Sequence, residues 1–276
     1  MVTFRPLARK IRPLTREDFD TILSAFNEAF SDYVVPMKLT REQLEAMFTR
    51  RGWSPELSAG VFDDERLVAF TANGFHGHTA YDSGTGVVPS HRRRGLAKQM
   101  MEFLVPHLRA GGAKRYVLEV IESNTPAATL YRESGFTVTR RLQCWSFAGE
   151  GAPGSDGTNR TDGTYGVPTE AWFEVAPSWQ NATHSVARSR DPHVVLGNAD
   201  GFAILFPSNG DVPQLAVRPE ARRRGLGTRL LREAAAIAGK PLRIMNVDDR
   251  HEGIARFLEA AGAMRTVAQL EMELPL

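Results

Sequence analysis

Two stretches of this 276-residue chain place arginines and a glycine at matching positions after a proline. The first reads Val87-Val88-Pro89-Ser90-His91-Arg92-Arg93-Arg94-Gly95-Leu96-Ala97, and the second runs from Val217 to Gly227. In each, an apolar run typical of a strand enters a basic turn, and a helical pattern of apolar residues follows. A helix N-terminus offers N–H groups without intrahelical acceptors and a positive dipole end, and both favour phosphate. These residue types therefore predict that a pyrophosphate group binds at two places.

The residues predicted to hold this group are the end of each strand and the turn after it. They are Val87, Val88, Arg92, Arg93, Arg94, Gly95, Leu96 and Ala97 in the first half, and Val217, Arg222, Arg223, Arg224, Gly225, Leu226 and Gly227 in the second. Two simpler interpretations stay open: an ordinary turn with exposed arginines, or a basic patch for nucleic acid. A nucleic-acid site would need interleaved aromatic residues and a broad basic surface, whereas the net charge is only +2.

The two turns resemble a sequence pattern of a known family. Arg92-x-x-Gly95-x-Ala97 and Arg222-x-x-Gly225-x-Gly227 resemble the (Gln/Arg)-x-x-Gly-x-(Gly/Ala) loop of the GNAT superfamily of N-acetyltransferases, which bind acetyl-CoA. A later segment, from Asn124 to Phe136, resembles the Asn-x-x-Ala-x-x-Leu-Tyr-x-x-x-Gly-Phe pattern of the same family. The resemblance implies an α/β fold of two tandem acyl-CoA N-acyltransferase domains. Each would have a central mixed sheet flanked by helices and a splayed pair of neighbouring strands, the fourth and fifth.

The resemblance also implies roles for individual residues in direct transfer from acetyl-CoA to an amine. Tyr131 is expected to protonate the departing thiolate, and Asn124 to contact the cofactor. A backbone N–H near Val87 or Val88 is expected to polarise the thioester carbonyl. A base must take a proton from the ammonium group, because only the free amine is nucleophilic.

Glu119 is the predicted base. It stands inside an apolar strand pattern from Tyr116 to Ile121, where burial would raise the pKa of its carboxyl group. A structural, hydrogen-bonded carboxylate is the alternative interpretation of Glu119. Asp82, Glu122 and a water relay remain alternatives for the base.

The two halves differ at the positions that carry the chemistry. The second half is three residues shorter after its turn, so that Tyr131 corresponds to Leu258, Asn124 to His251 and Glu119 to Asn246. We therefore expect transfer in the N-terminal half. The C-terminal copy is interpreted as a weak or vestigial cofactor site with a structural role.

Aromatic and apolar residues between two predicted helices near the N-terminus are candidates for contacts with the amine acceptor. They are Phe30, Tyr33, Val34 and Met37, and simple packing is the alternative interpretation of each. The acceptor is expected to be a small-molecule or peptide amine; an aminoglycoside, a peptide N-terminus and a lysine all remain open. Mycothiol synthase shares the tandem architecture, but bacterial tandem members of undefined substrate are similar too, and nothing in the sequence favours one acceptor.

Composition divides the chain into three predicted parts. Residues 1–148 form a complete N-terminal domain, 149–167 a linker rich in Gly, Ser and Asp, and 168–276 a shorter, degenerate C-terminal domain. Two local features are also predicted: Thr125 caps a helix that begins at Pro126, and Pro106 kinks or weakens the helix around it.

The remaining composition favours a cytoplasmic protein. The single cysteine, Cys144, excludes an intrachain disulfide, and neither a secretory leader nor an apolar run of about 18 residues is found. His76 and His78 lack further residues at ligand spacing, so that no metal site is predicted. Nothing predicts the oligomeric state. The functional alternative to an acetyltransferase is a non-catalytic protein that binds acyl-CoA or a partner.

Overall fold

The computed structural model describes residues 9–33, 37–149, 159–161 and 170–276. The chain divides into two compact units. Unit 1 consists of the described residues up to Val120, with Asn124–Thr139 and Glu271–Leu276, and unit 2 of Ile121–Ser123 with the described part of Arg140–Leu270. Each unit therefore contains residues from the other half of the sequence. The predicted boundaries at 148 and 168 did not include this exchange, because β pairing between distant segments leaves no local signal.

Unit 1 begins with two helices between its first strands. Its elements are β1 (Arg9–Pro13), α1 (Phe19–Ala29), α2 (Arg41–Arg51), β2 (Ala59–Asp63), β3 (Arg66–His76), β4 (Thr79–Val87), α3 (Leu96–Ala110), β5 (Arg115–Ile121) and α4 (Thr125–Glu133). A capping box starts α2, in which Thr40 and Gln43 exchange side-chain and backbone hydrogen bonds. The helix α3 continues through Pro106.

The remaining elements follow in chain order. They are β6 (Thr137–Phe147), β7 (Asn159–Thr161), α5 (Thr183–Arg188), β8 (Val194–Asn198), β9 (Gly201–Phe206), β10 (Asp211–Val217), α6 (Leu226–Ala238), β11 (Leu242–Asp248), α7 (Glu252–Ala261) and β12 (Met264–Pro275). Most of the predicted linker lies outside the described residues. Its residues 159–161 form β7 and pair with β8, although the composition predicted no regular structure there.

The sheet of unit 1 opens between β4 and β5, ahead of residues 87–97, the first of the two turns that contain the arginines and the glycine (the Arg–Gly turns). Strands β1 to β4 pair antiparallel in sequence order, whereas β4 and β5 are parallel and pair only from Thr79 to Tyr81. Beyond Tyr81 the two strands diverge over the rest of β4. This gap confirms the predicted mixed α/β fold with a splayed strand pair.

The sheet of unit 2 repeats the same arrangement. Strands β7 to β10 pair antiparallel, and β10 meets β11 in parallel at the single pair Asp211 and Arg243. Residues 142–147 of β6 pair antiparallel with β11. A gap between two parallel strands therefore precedes the second Arg–Gly turn as well.

Apolar helix faces cover the sheet in each unit. In unit 1, α1 packs Phe26 against Phe70 of β3 with ring centroids 5.8 Å apart. In unit 2, Leu230 and Ala234 of α6 are fully buried in a core that includes Leu205. Among the described residues, no helix combines the length and the apolar character needed to cross a membrane.

Candidate active site

The two Arg–Gly turns, residues 87–97 and 217–227, share one backbone conformation. A short 3-10 turn follows each strand, and the middle arginine then takes a positive φ, 59° at Arg93 and 62° at Arg223. Gly95 and Gly225 are also left-handed, with φ of 73° and 83°. Positive φ is uncommon for a residue with a Cβ and is found where a function requires it. The predicted duplication of the turn therefore extends to its backbone.

The start of each following helix directs N–H groups out of the turn. The first backbone hydrogen bonds of these helices run from Gln99 N to Gly95 O and from Arg229 N to Gly225 O, both 3.0 Å. Three N–H groups between donor and acceptor have no intrahelical partner in each helix. Leu96 and Leu226 are buried and hold the helix starts in place. Both turns fit a pyrophosphate group.

Arg92 contacts the protein rather than the open side of the turn. Its guanidinium donates to both oxygens of Asp32 at 2.7 Å, to Ala29 O at 2.9 Å and to Val87 O at 3.2 Å. The ion pair lowers the pKa of Asp32. Arg92 therefore fastens the turn to the end of α1, a contact that the sequence did not predict.

Arg222 has the same role in unit 2. It donates to Val217 O at 2.9 Å, to Trp172 O at 3.1 Å and to the Glu174 carboxylate. Arg93, Arg94, Arg223 and Arg224 are exposed as well, like Arg92; of these four, Arg94 donates to Ser90 O at 2.9 Å. These four arginines remain in reach of an anion.

Two backbone N–H groups at the end of β4 were predicted as donors, and the structure distinguishes between them. Val88 N donates to Val68 O of the neighbouring chain segment at 3.0 Å. Successive N–H groups of a strand point to opposite edges, so that the Val87 N–H faces β5. Because β5 has already diverged there, Val87 and not Val88 offers a donor to the gap.

Tyr131 projects from α4 to the floor of this gap. Its hydroxyl group donates to Asp82 Oδ2 at 3.2 Å, and its ring packs edge-on against Phe136, 5.6 Å between centroids. The side chain is 7% exposed. Burial raises the pKa of Tyr131 well above its usual value, so that the phenol keeps its proton at neutral pH.

Asp82 is the buried carboxylate beside Tyr131. Its oxygens accept hydrogen bonds from Gly84 N at 2.9 Å and from Thr85 Oγ1 at 2.6 Å. Burial raises the pKa of Asp82 to about 6, and these hydrogen bonds and the charge of Arg51 limit the rise. From the sequence, Asp82 was only an alternative for the base. A carboxylate within a strand pattern is nevertheless an indication of a functional site.

The other two carboxylates named from the sequence lie in different surroundings. Glu119 accepts from the Tyr81 hydroxyl at 3.0 Å and stands on β5 just beyond its last residue paired with β4. Glu122 forms an ion pair with Arg141 at 2.8 Å, and this hydrogen bond lowers the pKa of Glu122. A carboxylate with a lowered pKa is a poor base. Of the three carboxylates, Asp82 and Glu119 therefore remain candidates for the general base.

Asn124 joins α4 to the candidate acceptor residues. It caps α4 by accepting from Ala127 N at 3.3 Å, and it donates to the Tyr33 hydroxyl at 3.4 Å. The predicted cap, Thr125, is instead the first helical residue, because the asparagine amide one position earlier reaches the N–H of the first turn.

The described candidate acceptor residues belong to one apolar cluster. Phe30 meets Tyr33 edge-on, with 5.1 Å between ring centroids, and Met37 packs against the same cluster. Val34 lies outside the described residues.

Asp82, Thr85 and Tyr131 form the polar cluster of unit 1. In unit 2 apolar residues stand at the corresponding positions. Counting back from the second turn places Val212 and Leu215 where β4 has Asp82 and Thr85, and Leu258 replaces Tyr131. Asn246, the counterpart of Glu119, accepts from Cys144 Sγ at 3.4 Å and from Gln269 Nε2 at 2.7 Å. The second turn therefore has no acid or base beside it at the equivalent positions.

Two family models match the chain. One, described as the Acetyltransferase (GNAT) family, matches residues 19–136, and the other, an Acetyltransferase (GNAT) domain, matches residues 162–262. The first match contains the Arg–Gly turn and Tyr131 of unit 1. The second contains the Arg–Gly turn of unit 2.

Curated relatives match a smaller share of the chain. A mycothiol acetyltransferase of Mycolicibacterium smegmatis is 34% identical over 104 residues, 36% of this chain and 34% of the relative. One of Nocardia farcinica is 35% identical over 103 residues, 35% of this chain and 33% of the relative. The chain thus spans about a third of the length of these relatives.

Solved structures match over nearly the whole chain. A putative acetyltransferase of Pyrococcus horikoshii has a TM-score of 0.72 at 15% identity and covers 100% of this chain and 92% of its own. A GCN5-related N-acetyltransferase of Sphaerobacter thermophilus has a TM-score of 0.72 at 16% identity, covering 97% and 95%. A tandem GNAT protein from the clavulanic acid biosynthesis pathway reaches 0.68 at 16% identity, covering 97% and 98%. These structures show that the fold is shared.

The two family models together cover most of the chain, and each matches one of the two Arg–Gly turns. GNAT acetyltransferases use acetyl-CoA, whose pyrophosphate is a group that both turns fit. The chain therefore belongs to the GNAT acetyltransferases and carries two of their domains in tandem.

Proposed function

We propose that the chain is an acetyl-CoA-dependent N-acetyltransferase that acts on a primary amine by direct transfer, and that transfer takes place in unit 1. The hydrogen bond between Tyr131 and Asp82 at the strand gap carries this proposal. The pair places a protonated phenol and a carboxylate of raised pKa at the gap beside β4, the strand that also carries the Val87 N–H. Unit 2 has apolar side chains at the corresponding positions.

Unit 1 binds the donor in this proposal through its Arg–Gly turn. The N–H groups at the start of α3 and the exposed Arg93 and Arg94 hold the pyrophosphate. Acetyl-CoA, when bound, supplies the acetyl thioester. The Val87 N–H donates to the thioester oxygen as negative charge develops there, which is the largest single contribution in many acyl transfers.

Tyr131 provides the proton for the leaving sulfur. Its pKa is raised by burial, so that the phenol is present in the protonated form at neutral pH and can donate. The single proton of this hydroxyl group is directed at Asp82 in the structure. It turns to the sulfur when the thiolate leaves, and Asp82, which by then carries the proton taken from the ammonium group, returns a proton to the phenolate oxygen. A positioned acid of this kind contributes about 100-fold or more to a rate.

Asp82 is our first choice for the base, and Glu119 our second. With a pKa of about 6, Asp82 is ionised at neutral pH and still basic enough to take a proton from an ammonium group, directly or through water. Glu119 lies at the same gap and accepts from Tyr81. Phe30, Tyr33 and Met37 form the proposed wall for the acceptor, since Tyr33 connects this cluster to Asn124.

The function is tested by release of free CoA from acetyl-CoA with a panel of amines: a small amine, an aminoglycoside, a peptide with a free N-terminus and a lysine peptide. The name of the mycothiol acetyltransferases makes a small-molecule amine the first to be tried. We expect one amine to yield an acetylated product by mass spectrometry. Tight binding of acetyl-CoA without a product from any amine class would instead support a non-catalytic acyl-CoA-binding protein.

A further inference from the structure

Unit 2 contains a cavity where unit 1 has its polar cluster. It has a volume of about 650 Å³ and lies against the gap between β10 and β11, the start of α6 and α7. Apolar side chains form most of its wall, among them Leu215, Val217, Ile244, Met245, Ile254 and Phe257. Cavities of roughly 300–1,000 Å³ lined in this way bury whole small-molecule ligands.

The wall of the cavity includes three apolar residues that replace the hydrogen-bonded polar residues Asp82, Thr85 and Tyr131 of unit 1. Val212, Leu215 and Leu258 stand at the positions of Asp82, Thr85 and Tyr131 and line the cavity. Each replacement exchanges a group that holds or orients a proton for a hydrocarbon side chain. The replacements therefore remove the chemistry and extend the apolar surface at the same place.

The cavity is continuous with the second Arg–Gly turn. Arg223, Gly225 and Gly227 belong both to the turn and to the cavity lining. Phe257 packs over the turn so closely that a Cβ on Gly227 would come within 3.1 Å of its ring. Two of the polar residues near this end are engaged with each other, since Arg222 pairs with Glu174.

We propose that unit 2 binds a CoA thioester whose acyl chain is longer than acetyl, and holds it without transferring it. The turn takes the pyrophosphate and the cavity takes the pantetheine arm and the acyl chain. An acetyl group is too small to use the apolar wall, whereas each added methylene removes further apolar surface from water. This inference rests on the proposed function, since it assumes that the Arg–Gly turns hold CoA.

The proposal predicts a dependence of affinity on chain length. Burial of one methylene is worth about 0.8 kcal/mol, which corresponds to about fourfold in Kd. Acetyl-, butyryl-, hexanoyl- and octanoyl-CoA are titrated calorimetrically into the full chain carrying Gly95→Glu, which places a carboxylate in the first turn. We expect Kd to fall by about two- to fourfold per methylene up to the length that fills the cavity.

Leu215→Thr is the matched variant, because it restores the residue type found at this position in unit 1. It should weaken octanoyl-CoA at least about tenfold and leave CoA itself within about twofold of the parent chain. The same variant in the otherwise native chain keeps the test independent of Gly95. In that chain, the Kd of the site in unit 2 should no longer depend on the length of the acyl chain, and the Kd of the site in unit 1 should be unchanged.

Four outcomes would overturn the inference. They are an affinity in unit 2 that ignores chain length, equal binding of free octanoate and octanoyl-CoA, no response to Leu215→Thr, and an acylated amine formed from octanoyl-CoA by the Gly95→Glu chain. Failure of the proposed function looks different, since no amine of the panel would then yield an acetylated product with the native chain, whatever the chain-length dependence of binding in unit 2.

Discussion

At the scale of single residues, the proposed transfer depends on one hydrogen-bonded pair in unit 1. Asp82 and Tyr131 are both buried, and burial raises the pKa of each. Strongly shifted pKa values with specific partners are typical of functional sites. The neighbouring phenol of Tyr116 donates to Asn73 at 2.8 Å instead, and it serves as the control for a buried hydroxyl group outside the pair.

Tyr131→Phe should lower kcat by about 100-fold, because the leaving thiolate loses its acid. The KM for acetyl-CoA should change little, since the Arg–Gly turn is untouched. Steady-state kinetics with the best amine of the panel measure both. Tyr116→Phe should keep kcat within a few-fold, and an equal loss in both variants would show that the effect is one of packing.

Asp82→Asn should remove the acid limb of the activity profile. In the native chain kcat/KM should fall as pH decreases through about 6, because protonated Asp82 no longer accepts a proton. The variant should be slower at neutral pH by about 100-fold or more and should lack this inflection. Glu119→Gln is the matched variant and should keep the inflection. An inflection that is lost in Glu119→Gln and kept in Asp82→Asn would make Glu119 the base.

Asp82→Asn should also stabilise the protein at neutral pH. Folding raises the pKa of Asp82 from 3.8 to about 6, so that the folded state binds its proton more tightly and stability is lost as pH rises through this interval. Removing the charge should therefore raise the free energy of unfolding at neutral pH by about 1–3 kcal/mol. The gain should vanish below pH 3.8. Denaturant unfolding at several pH values checks the sign.

At the scale of elements, the Arg–Gly turns divide their arginines between two tasks. Arg92 is fastened to Asp32 and to carbonyl groups, whereas Arg93 and Arg94 are exposed. The Arg-x-x-Gly pattern gives no indication of this division. The division depends on the tertiary contact between the turn and the C-terminal end of α1. The turn itself was predictable, since a strand, a proline, a glycine and a helix follow each other along the sequence.

Arg93→Gln and Arg94→Gln should weaken acetyl-CoA binding mainly at low ionic strength. The charges of exposed arginines are screened over about 10 Å at 0.1 M salt, so that the loss should shrink as salt increases. Arg92→Gln should weaken binding at every salt concentration, because it loosens the turn rather than removing a charge from the ligand. Titration calorimetry across a salt series compares the three, and one common salt dependence would contradict the division.

Other features at this scale were only partly accessible from the sequence. The pattern of Tyr116 to Ile121 predicted a buried strand and thereby the surroundings of Glu119. It could not show that Val88 N is already bonded to Val68 O, which leaves Val87 as the donor. Nor could it show the contact between Asp82 and Tyr131, since these residues meet only after β4 and α4 pack together.

At the scale of the whole molecule, each compact unit needs residues from the other half of the sequence. Unit 1 includes Glu271–Leu276, where Glu273 pairs with Arg115 at 2.6 Å and Leu276 N donates to Lys114 O at 2.9 Å. Composition predicted the linker but not this exchange. The segments are far apart in the chain, and a strand pattern does not name its partner.

Removal of Glu271–Leu276 should destabilise unit 1 and reduce its activity, although no residue of the strand gap is touched. The expected loss is a melting temperature lower by roughly 5 °C or more, measured by scanning calorimetry. Glu273→Gln removes only an exposed ion pair and should have a small effect. An unchanged melting temperature after truncation would mean that unit 1 is complete without these residues.

The two Arg–Gly turns thus share one backbone conformation but lie beside different side chains, a polar cluster in unit 1 and an apolar cavity in unit 2. The central claim is that transfer occurs only at the first. Gly95→Glu and Gly225→Glu form a matched pair, because both glycines are left-handed and neither has a neighbouring atom closer than 3.6 Å to an added Cβ.

The most direct measurement is kcat/KM for acetyl transfer in these two variants beside the native chain. Gly95→Glu should lower it by about 100-fold or more, because a carboxylate then occupies the anion site of the first turn. Gly225→Glu should leave it within a few-fold. A large loss in Gly225→Glu with little change in Gly95→Glu would assign the transfer to unit 2 and contradict the account.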